Sequence, residues 1–330
     1  MSVNNPESKV DKINILDGGF SAQLSIHVGD KVDGDPLWTA RYLSTNPKAI
    51  LATHLDFLKA GADIIQTNTY QASIGGFMKY LNLTAEESLK LIESAVILAK
   101  EAVQIYSKDD KNCSKLIVGS VGPYGAALHD GSEYTGVYDV DVSKKLIKDW
   151  HKPRLEALIR GGVDLLALET IPNKIEAEAL VDLLRDYPTA KAWLSFSCLQ
   201  DGKSLTDGSN IRDVVTLCYE NALPGQILAV GVNCIAPRFV TPLLKEINKD
   251  RGNDGWPLVV YPNSGEQYTV SKGWQKGEAL DPFDNFIDDW LNLGVRYIGG
   301  CCRIYAKDIT KIRDIVEIWE KKLFSLCSFY

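Results

Sequence analysis

The sequence predicts an α/β fold of the (β/α)8 barrel type, in which eight parallel strands close into a barrel inside a ring of helices. Three observations support this fold class. Eight short apolar runs rich in β-branched residues recur along the 330 residues. Between them lie amphipathic segments with apolar residues three and four positions apart, as in helices. No run is followed by a GxGxxG or GxxxxGK[ST] nucleotide-binding motif, the mark of many open doubly wound sheets.

The eight apolar runs are the expected barrel strands. They are INILDGG from Ile13, DIIQTNTY from Asp63, KLIVGSVGP from Lys115, VDLLALET from Val163, KAWLSFSC from Lys191, QILAVGVNC from Gln226, PLVVYPNSG from Pro257 and VRYIGGCC from Val295. Nearly continuous apolar strands are typical of a parallel sheet that helices cover on both faces. Eight such units fit a closed barrel better than the alternative, an open doubly wound sheet, so residues 1–330 are expected to form one domain.

Amphipathic segments between these runs are the expected helices. The clearest are NPKAILATHLDFLKAGA at 46–62, AEESLKLIESAVILAKEAVQIY at 85–106 and DNFIDDWLNLG at 284–294. Gly61, Gly161 with Gly162, and Gly294 stand shortly before the next apolar run, where a glycine C-cap commonly ends a helix.

Composition narrows the classes of partner. A net charge of -7 with 24% charged residues gives no sign of a nucleic-acid partner. The first residues, MSVNNPESKVDK, lack the basic start and apolar stretch of a signal peptide, and no apolar run approaches the ~20 residues of a membrane span. We therefore expect a cytoplasmic protein that binds small molecules and neither nucleic acid nor membrane. Its oligomeric state cannot be read from the sequence.

Several predicted strands end in residues that could form a functional site. They are Asp17 and Gly18 after the first strand, Glu169 after the fourth, Cys234 after the sixth, and Cys301 with Cys302 after the eighth. In a (β/α)8 barrel these ends meet at one rim, the face that carries active sites. Two long loops, 124–140 and 266–281, are expected on the same face.

Three of the seven cysteines lie at these strand ends. Because strands six and eight flank strand seven, Cys234 can approach Cys301 and Cys302 across the barrel mouth. Three converging thiolates predict a catalytic zinc site with one open position. Gly299 and Gly300 are expected to let the chain turn so that both adjacent thiols face the metal. Ordinary buried thiols and a redox dithiol are the alternatives, although CC lacks the spacer of CxxC.

The charge of such a site narrows its chemistry. The negative charge of three thiolates exceeds the positive charge of Zn²⁺ and makes the metal a poor Lewis acid. Zinc hydrolases prefer neutral histidine ligands. A substrate thiol at the open position would be deprotonated yet electron-rich, which favours its alkylation over hydrolysis of another substrate. Asp17 and Glu169 would pair with the ammonium of an amino-acid acceptor. Helix capping is the alternative role for these two carboxylates.

Seven stretches of the chain closely resemble the homocysteine S-methyltransferases. They are LDGGF at 16–20, ADIIQTNTY at 62–70, GSVGPYGA at 119–126, ALETIPNKIEAEA at 167–179, VGVNC at 230–234, YPNSGE at 261–266 and GGCCR at 299–303. This resemblance runs from about residue 13 to 315. It implies a zinc-dependent, homocysteine-binding (β/α)8 barrel that transfers a methyl group to homocysteine to form methionine. The chain departs from the family pattern at Ile304, where a small residue is expected after GGCCR.

The resemblance also implies roles for individual residues. The zinc ligands would be Cys234, Cys301 and Cys302. The substrate's amino group would be held by Asp17 and Glu169, with Gly18 beside Asp17 in the same substrate site.

The methyl donor is less closely defined. A cationic donor calls for aromatic faces around its methyl-bearing centre, and Trp38 and Tyr124 are the candidates. Core packing is the alternative for both. By resemblance the chain looks more like the branch that uses a sulfonium, S-methylmethionine or S-adenosylmethionine, than the betaine-using branch. Further alternatives are a selenocysteine or selenohomocysteine acceptor, betaine as donor, and a zinc- or thiol-binding barrel without turnover.

Overall fold

Ten strands are present in the computed structural model, which describes residues 12–29, 32–109, 114–138, 142–269, 273–275 and 282–327. They are β1 Asn14–Ile15, β2 Ile64–Gln66, β3 Leu116–Val121, β4 Leu165–Ile171, β5 Ala192–Phe196, β6 Ile227–Asn233, β7 Leu258–Tyr261, β8 Gln267–Thr269, β9 Gly273–Gln275 and β10 Val295–Ile298. All except β8 and β9 coincide with the eight predicted runs, although β4 extends one residue beyond its run, to Ile171.

Helices follow the barrel strands and surround them. They are α1 Phe20–Val28, α2 Tyr42–Thr45, α3 Pro47–Lys59, α4 Ile74–Leu81, α5 Ala85–Tyr106, α6 Tyr124–Leu128, α7 Lys144–Gly161, α8 Lys174–Leu184, α9 Ile211–Asn221, α10 Val240–Ile247, α11 Ile287–Asn292 and α12 Ala306–Cys327. The three expected glycine caps are confirmed, because Gly61, Gly162 and Gly294 have φ of 99°, 81° and 100° after α3, α7 and α11.

The eight strands pair in parallel in the order β1-β10-β7-β6-β5-β4-β3-β2. A parallel bridge between Leu16 and Ile64 joins the two ends of this order, and the Asp63 N–H donates to the Ile15 carbonyl over 2.7 Å. The sheet is therefore a barrel, which confirms the predicted (β/α)8 fold over the doubly wound alternative. As expected, β7 lies between β6 and β10.

Apolar side chains fill both faces of this barrel. Leu16, Ile64, Val118, Trp193 and Val259 belong to a cluster that packs inside it. A larger cluster, formed by the alternate strand residues and the inner faces of the helices, packs outside. Burial on both faces is the reason that the strands read as nearly continuous apolar runs.

The loop at 266–281 contains the antiparallel hairpin of β8 and β9, which the sequence analysis treats only as a loop. Residues 270–272 and 276–281 of that loop, together with Asp139 and Val140 at the end of the other long loop, lie outside the described residues. Within the described chain, no helix is long and apolar enough to cross a membrane. One domain over 1–330 and a cytoplasmic location stay predictions.

Candidate active site

A cavity of about 630 Å³, counting the space open to solvent at its mouth, lies at the carboxyl ends of the barrel strands. Its walls come from the ends of several strands, from the first turn of α1 and from the segment after β10. Seven of the eight predicted site residues line it: Asp17, Gly18, Trp38, Glu169, Cys234, Cys301 and Cys302.

The three cysteines meet on one wall of this cavity. The Cys301 Sγ lies 2.8 Å from that of Cys234 and 3.9 Å from that of Cys302, and the Cys234 and Cys302 sulfurs are 3.5 Å apart. Two sulfur ligands of a tetrahedral zinc, with Zn–S bonds of about 2.3 Å, are about 3.8 Å apart. The thiols therefore fit one metal ion with small adjustments. Within the described ranges, no other group of three such side chains does so.

Cys234 is aimed at this centre by a bend in the chain at the end of β6. Its φ of 54° is in the left-handed region, which a residue other than glycine occupies only where its surroundings hold it. The Cys234 N–H donates to the Tyr261 carbonyl over 3.1 Å, and its own carbonyl accepts from the Asn263 Nδ2 over 3.0 Å. These bonds to the end of β7 fix the direction of the thiol.

Cys301 and Cys302 lie in a turn beyond β10, so they are not bound to opposite faces of a strand. The Cys301 N–H donates to the Pro262 carbonyl over 2.8 Å, and its carbonyl accepts from the Ile304 N–H over 3.0 Å. The Cys302 carbonyl accepts from the Ser264 N–H over 3.1 Å. The turn is thereby fastened to the segment after β7, next to Cys234.

The two glycines before this turn act differently from the expectation. Neither Gly299 nor Gly300 has a positive φ. A Cβ on Gly299 would lie 2.6 Å from the Asp17 carbonyl oxygen, and one on Gly300 would lie 2.2 Å from the Ile304 Cγ2. They therefore permit close packing, whereas Arg303, with φ of 66°, takes the left-handed conformation. Ile304, where the chain departs from the family pattern, belongs to the outer core and does not line the cavity.

Without a cation, the three thiols do not all ionise. Hydrogen bonds from the Cys301 and Cys302 thiols lower the pKa of Cys234 well below its usual value. Donation to Cys234 raises the pKa of Cys301 and Cys302 well above theirs. One thiolate flanked by two thiols is the result, and three thiolates require a cation between them.

Asp17 extends from the end of β1 into the cavity floor and is 1% exposed. Its Oδ2 accepts from the Gln66 N–H over 2.7 Å, and its Oδ1 lies 3.4 Å from the Gln66 Nε2. Burial raises the pKa of Asp17 to about 8, although the bonds from Gln66 oppose that shift. A buried carboxylate with such a pKa is stabilised in its charged form when a cationic ligand approaches.

Glu169 lies near the carboxyl end of β4 and faces the same space. Its Oε1 accepts from the Ser120 hydroxyl, and the Tyr261 hydroxyl also bonds to the carboxylate. Burial raises the pKa of Glu169 to about 7, with a smaller contribution from the nearby Cys234. Tyr261 is held by the Trp193 indole N–H at 3.1 Å, so Glu169 rests on side chains of the barrel interior.

One buried amide joins the strand end that carries Glu169 to the one that carries Cys234. The Asn233 Oδ1 accepts from the Thr170 N–H over 2.9 Å, and its Nδ2 donates to the Thr170 hydroxyl over 2.7 Å. Thr170 has a φ of 57°, in the left-handed region like Cys234. The Asn233 amide therefore holds one strained residue, Thr170, by two hydrogen bonds and directly precedes the other, Cys234.

Trp38 and Tyr124 have different positions. The Trp38 ring lines the cavity and meets the Tyr70 ring edge-on, with centroids 5.9 Å apart. Tyr124 is not part of the lining. Its N–H donates to the Glu176 Oε1 over 2.6 Å, and its ring packs between Tyr138 and Trp150 at 5.4 and 5.1 Å. The structure therefore brings Trp38, but not Tyr124, to the cavity.

Several lining residues were not among the predicted site residues. They include Phe20, Gln66, Asn68, Tyr70, Ser120, Tyr134, Asn233 and Tyr261. Asn68 and Asn233 stand at predicted strand ends, which is a signal that could have included them. Tyr134 comes from a loop, and its approach to the cavity depends on loop geometry that no pattern in the sequence encodes.

The cavity is acidic. Among the residues that line it there is no lysine, arginine or histidine, while Asp17 and Glu169 supply two carboxylates. The first turn of α1 also faces the cavity, and no side chain caps it. Free N–H groups at a helix N-terminus bind carboxylate groups, so the cavity offers separate places for a ligand's ammonium and carboxylate.

The fold and the cavity define a (β/α)8-barrel enzyme with a three-cysteine centre at its carboxyl-terminal rim. A sequence model of one protein family, homocysteine S-methyltransferase, matches residues 14–316, and the chain belongs to that family. This confirms the resemblance and the class of enzyme.

Three known proteins illustrate the range of relatives. The betaine-homocysteine S-methyltransferase of Drosophila melanogaster is 47% identical over 91% of this chain and 93% of its own. The selenocysteine Se-methyltransferase of Brassica oleracea var. italica is 39% identical over 95% and 91%. The crystal structure of the Escherichia coli homocysteine methyltransferase MmuM in its metallated form is 39% identical and has a TM-score of 0.80, covering 92% and 96% of the two chains.

Proposed function

We propose that the protein transfers a methyl group from a sulfonium donor, S-methylmethionine or S-adenosylmethionine, to the thiol of homocysteine in a zinc-dependent reaction that gives methionine. The observation that carries this proposal is the presence of three converging thiols and two buried carboxylates in a single cavity. The thiols match a metal that accepts a sulfur ligand, and the carboxylates match the ammonium of an amino acid.

Cys234, Cys301 and Cys302 would hold the zinc, since soft thiolates at this spacing suit it. When bound, zinc would keep the acceptor sulfur deprotonated at neutral pH. The protein fixes the three thiols through main-chain hydrogen bonds to the segment after β7, so the centre is largely formed before a metal binds.

Asp17 and Glu169 would hold the ammonium of homocysteine. Both are buried, and burial raises the pKa of each toward or above neutrality while no cation is present. An ammonium between them favours both charged forms, because it supplies the opposite charge that burial has removed. Binding would therefore fix the amino end of the acceptor. The free first turn of α1 would take its carboxylate.

The donor is proposed to be a sulfonium amino acid because of the charge of the cavity. S-methylmethionine adds a sulfonium and an ammonium but only one carboxylate, which fits a lining with two carboxylates and no cationic side chain. Trp38 and Tyr70 offer aromatic faces to the cationic centre. In the reaction the acceptor sulfur forms a bond to the methyl carbon as the donor sulfonium bond breaks. The donor departs as a neutral thioether, so no side chain has to protonate it.

Betaine is the second candidate donor, because aromatic faces bind a quaternary ammonium equally well and one close relative carries betaine in its name. A selenol is the second candidate for the methyl acceptor, because one relative is a selenocysteine Se-methyltransferase. A barrel that binds metal without turnover would have no use for carboxylates buried beside the thiols.

The test is to incubate zinc-loaded protein with homocysteine and, separately, S-methylmethionine, S-adenosylmethionine or betaine, and to measure methionine. We expect methionine from a sulfonium donor. Formation from betaine alone would refute the proposed donor but not the acceptor. If no donor gives methionine although each chain holds one zinc ion, the same donors with selenocysteine decide whether the acceptor is a selenol or turnover is absent.

A further inference from the structure

Two amide side chains follow one another on the cavity side of the chain at the end of β2. Gln66 ends β2, and Asn68 lies at a bend of the chain two residues later. Both line the cavity. Each has one amide oxygen that is buried and has no hydrogen-bond partner among the described residues.

The orientation of the Asn68 amide is fixed by its nitrogen. The Asn68 Nδ2 donates to the Thr39 carbonyl over 3.1 Å, and only the N–H end of an amide can bond to a carbonyl. The oxygen therefore points away from Thr39. Asn68 is only 2% exposed, and leaving a buried acceptor without a partner destabilises a folded chain. Such an oxygen calls for a partner that arrives with the ligand.

The aromatic wall of the cavity lies beside this oxygen. Thr39, to which Asn68 is anchored, directly follows Trp38, and Tyr70 is two residues beyond Asn68. The Trp38 and Tyr70 rings are in edge contact, and both line the cavity with Asn68. One short stretch of wall thus presents two aromatic faces and an unpaired carbonyl-type oxygen.

Such a wall suits an onium cation more than an ordinary hydrogen-bond donor. A sulfonium or quaternary ammonium has no N–H or O–H, and its charge is spread over the C–H groups around the central atom. Aromatic faces attract that charge, and amide oxygens accept the polarised C–H groups. In the proposed function the acceptor binds elsewhere in the cavity. Its thiol lies at the cysteines, and its ammonium lies at Asp17 and Glu169, beside the Gln66 oxygen.

We propose that Asn68 is a donor-binding residue whose Oδ1 contacts the positively charged onium group of the methyl donor. This inference rests on the proposed function but does not depend on which onium is the donor. It assigns recognition of the donor's charge to Asn68, with Trp38 and Tyr70 beside it. Recognition of the acceptor is left to the three cysteines, Asp17 and Glu169.

The experiment measures binding without turnover, by calorimetry on zinc-loaded protein in the absence of homocysteine. Two ligand pairs separate charge from shape. S-methylmethionine is compared with methionine, and betaine is compared with 3,3-dimethylbutanoate, which replaces the ammonium nitrogen by carbon. Asn68→Leu removes the oxygen, and Asn68→Ser keeps a small polar group should the leucine variant not fold. Gln71→Leu is the matched control, since its Nε2 also donates to a main-chain carbonyl, that of Ala126, outside the cavity lining.

We expect Asn68→Leu to raise the Kd of the onium ligand about tenfold. The Kd of the paired ligand that lacks the onium charge should rise less than twofold. Zinc content and the homocysteine KM should stay as in the unsubstituted protein and in Gln71→Leu. Equal weakening of the charged and neutral ligands would overturn the proposal, as would no weakening of either. If wild-type protein binds betaine but not S-methylmethionine, the proposed sulfonium donor fails, while the betaine pair still tests Asn68.

Discussion

A substitution at Gly300 tests how the cysteine turn is supported. A Cβ at this position would lie 2.2 Å from the Ile304 Cγ2 and 2.5 Å from its Cβ, far inside van der Waals contact. Since Gly300 does not have a positive φ, alanine meets no backbone obstacle and the cost is steric alone. Overpacking of this kind destabilises a core by about 1–3 kcal/mol. We expect Gly300→Ala also to weaken zinc binding, because the turn with Cys301 and Cys302 must move.

Removing the obstacle should restore the site. Ile304→Gly, which also removes the Cβ, leaves a hole in the outer core and by itself should cost about 2–5 kcal/mol for the lost side chain. In the double variant the new methyl group at position 300 enters the vacated space. The double variant should therefore be about 1–3 kcal/mol more stable than the two single effects predict, and its zinc affinity should recover.

Urea unfolding of the four proteins and a zinc titration of each provide the measurement. Gly299→Ala is the matched control. Its Cβ would meet the Asp17 carbonyl oxygen at 2.6 Å, a backbone atom that Ile304→Gly does not remove. Rescue should appear with Gly300→Ala and not with Gly299→Ala. Free energies that add to within about 0.5 kcal/mol for the Gly300 pair would refute the packing argument.

Three other predictions concern the metal, the acceptor and acid stability. Cys301→Ser should lose zinc and activity but keep its fold, whereas Cys198→Ser, a thiol outside the cavity lining, should lose neither; unfolding of the first variant would mark the centre as structural. Glu169→Gln keeps the shape of the side chain and removes its charge, so the homocysteine KM should rise about 10- to 100-fold with zinc content unchanged, as expected for a lost charge-assisted bond; a parallel fall in zinc would contradict this role. His54 is fully buried without a hydrogen-bond partner among the described residues, and burial lowers its pKa to about 3. The unfolded chain binds this proton from about pH 6.5 downward and the native chain does not, so stability falls as pH drops through that window, by about 2 kcal/mol at pH 5. His54→Phe should reduce the fall, which urea unfolding at pH 7 and pH 5 would show; an identical slope in both proteins would rule out His54 as its source.

The barrel could be predicted from the sequence because burial on both faces imposes a visible pattern on each strand. The sequence also allowed us to predict which residues share the site, because the parallel strands of a barrel place their carboxyl ends at one rim. These residues are Cys234, Cys301, Cys302, Asp17 and Glu169. Position along a strand is information that a sequence contains.

The remaining features depend on partners that no pattern in the sequence identifies. Tyr124 comes three residues after the end of β3, yet it begins α6, where its N–H bonds to Glu176 and its ring packs against Tyr138. The unpaired oxygen of Asn68 becomes visible only when the Thr39 carbonyl is seen to occupy its nitrogen. The close packing at Gly300 likewise requires the position of Ile304.

The junction between β1 and β2 has fewer paired residues than any other junction of the barrel in the described chain, and Asp17 forms part of it. Beyond the single bridge at Leu16, the Gln66 N–H finds its partner in the Asp17 carboxylate and not in a strand carbonyl. The same carboxylate that would pair with the ligand's ammonium in the proposed function therefore also links the two strand ends that close the barrel. A change at Asp17 that altered acceptor choice would also loosen this joint. Acceptor recognition and closure of the barrel are thus coupled at one side chain.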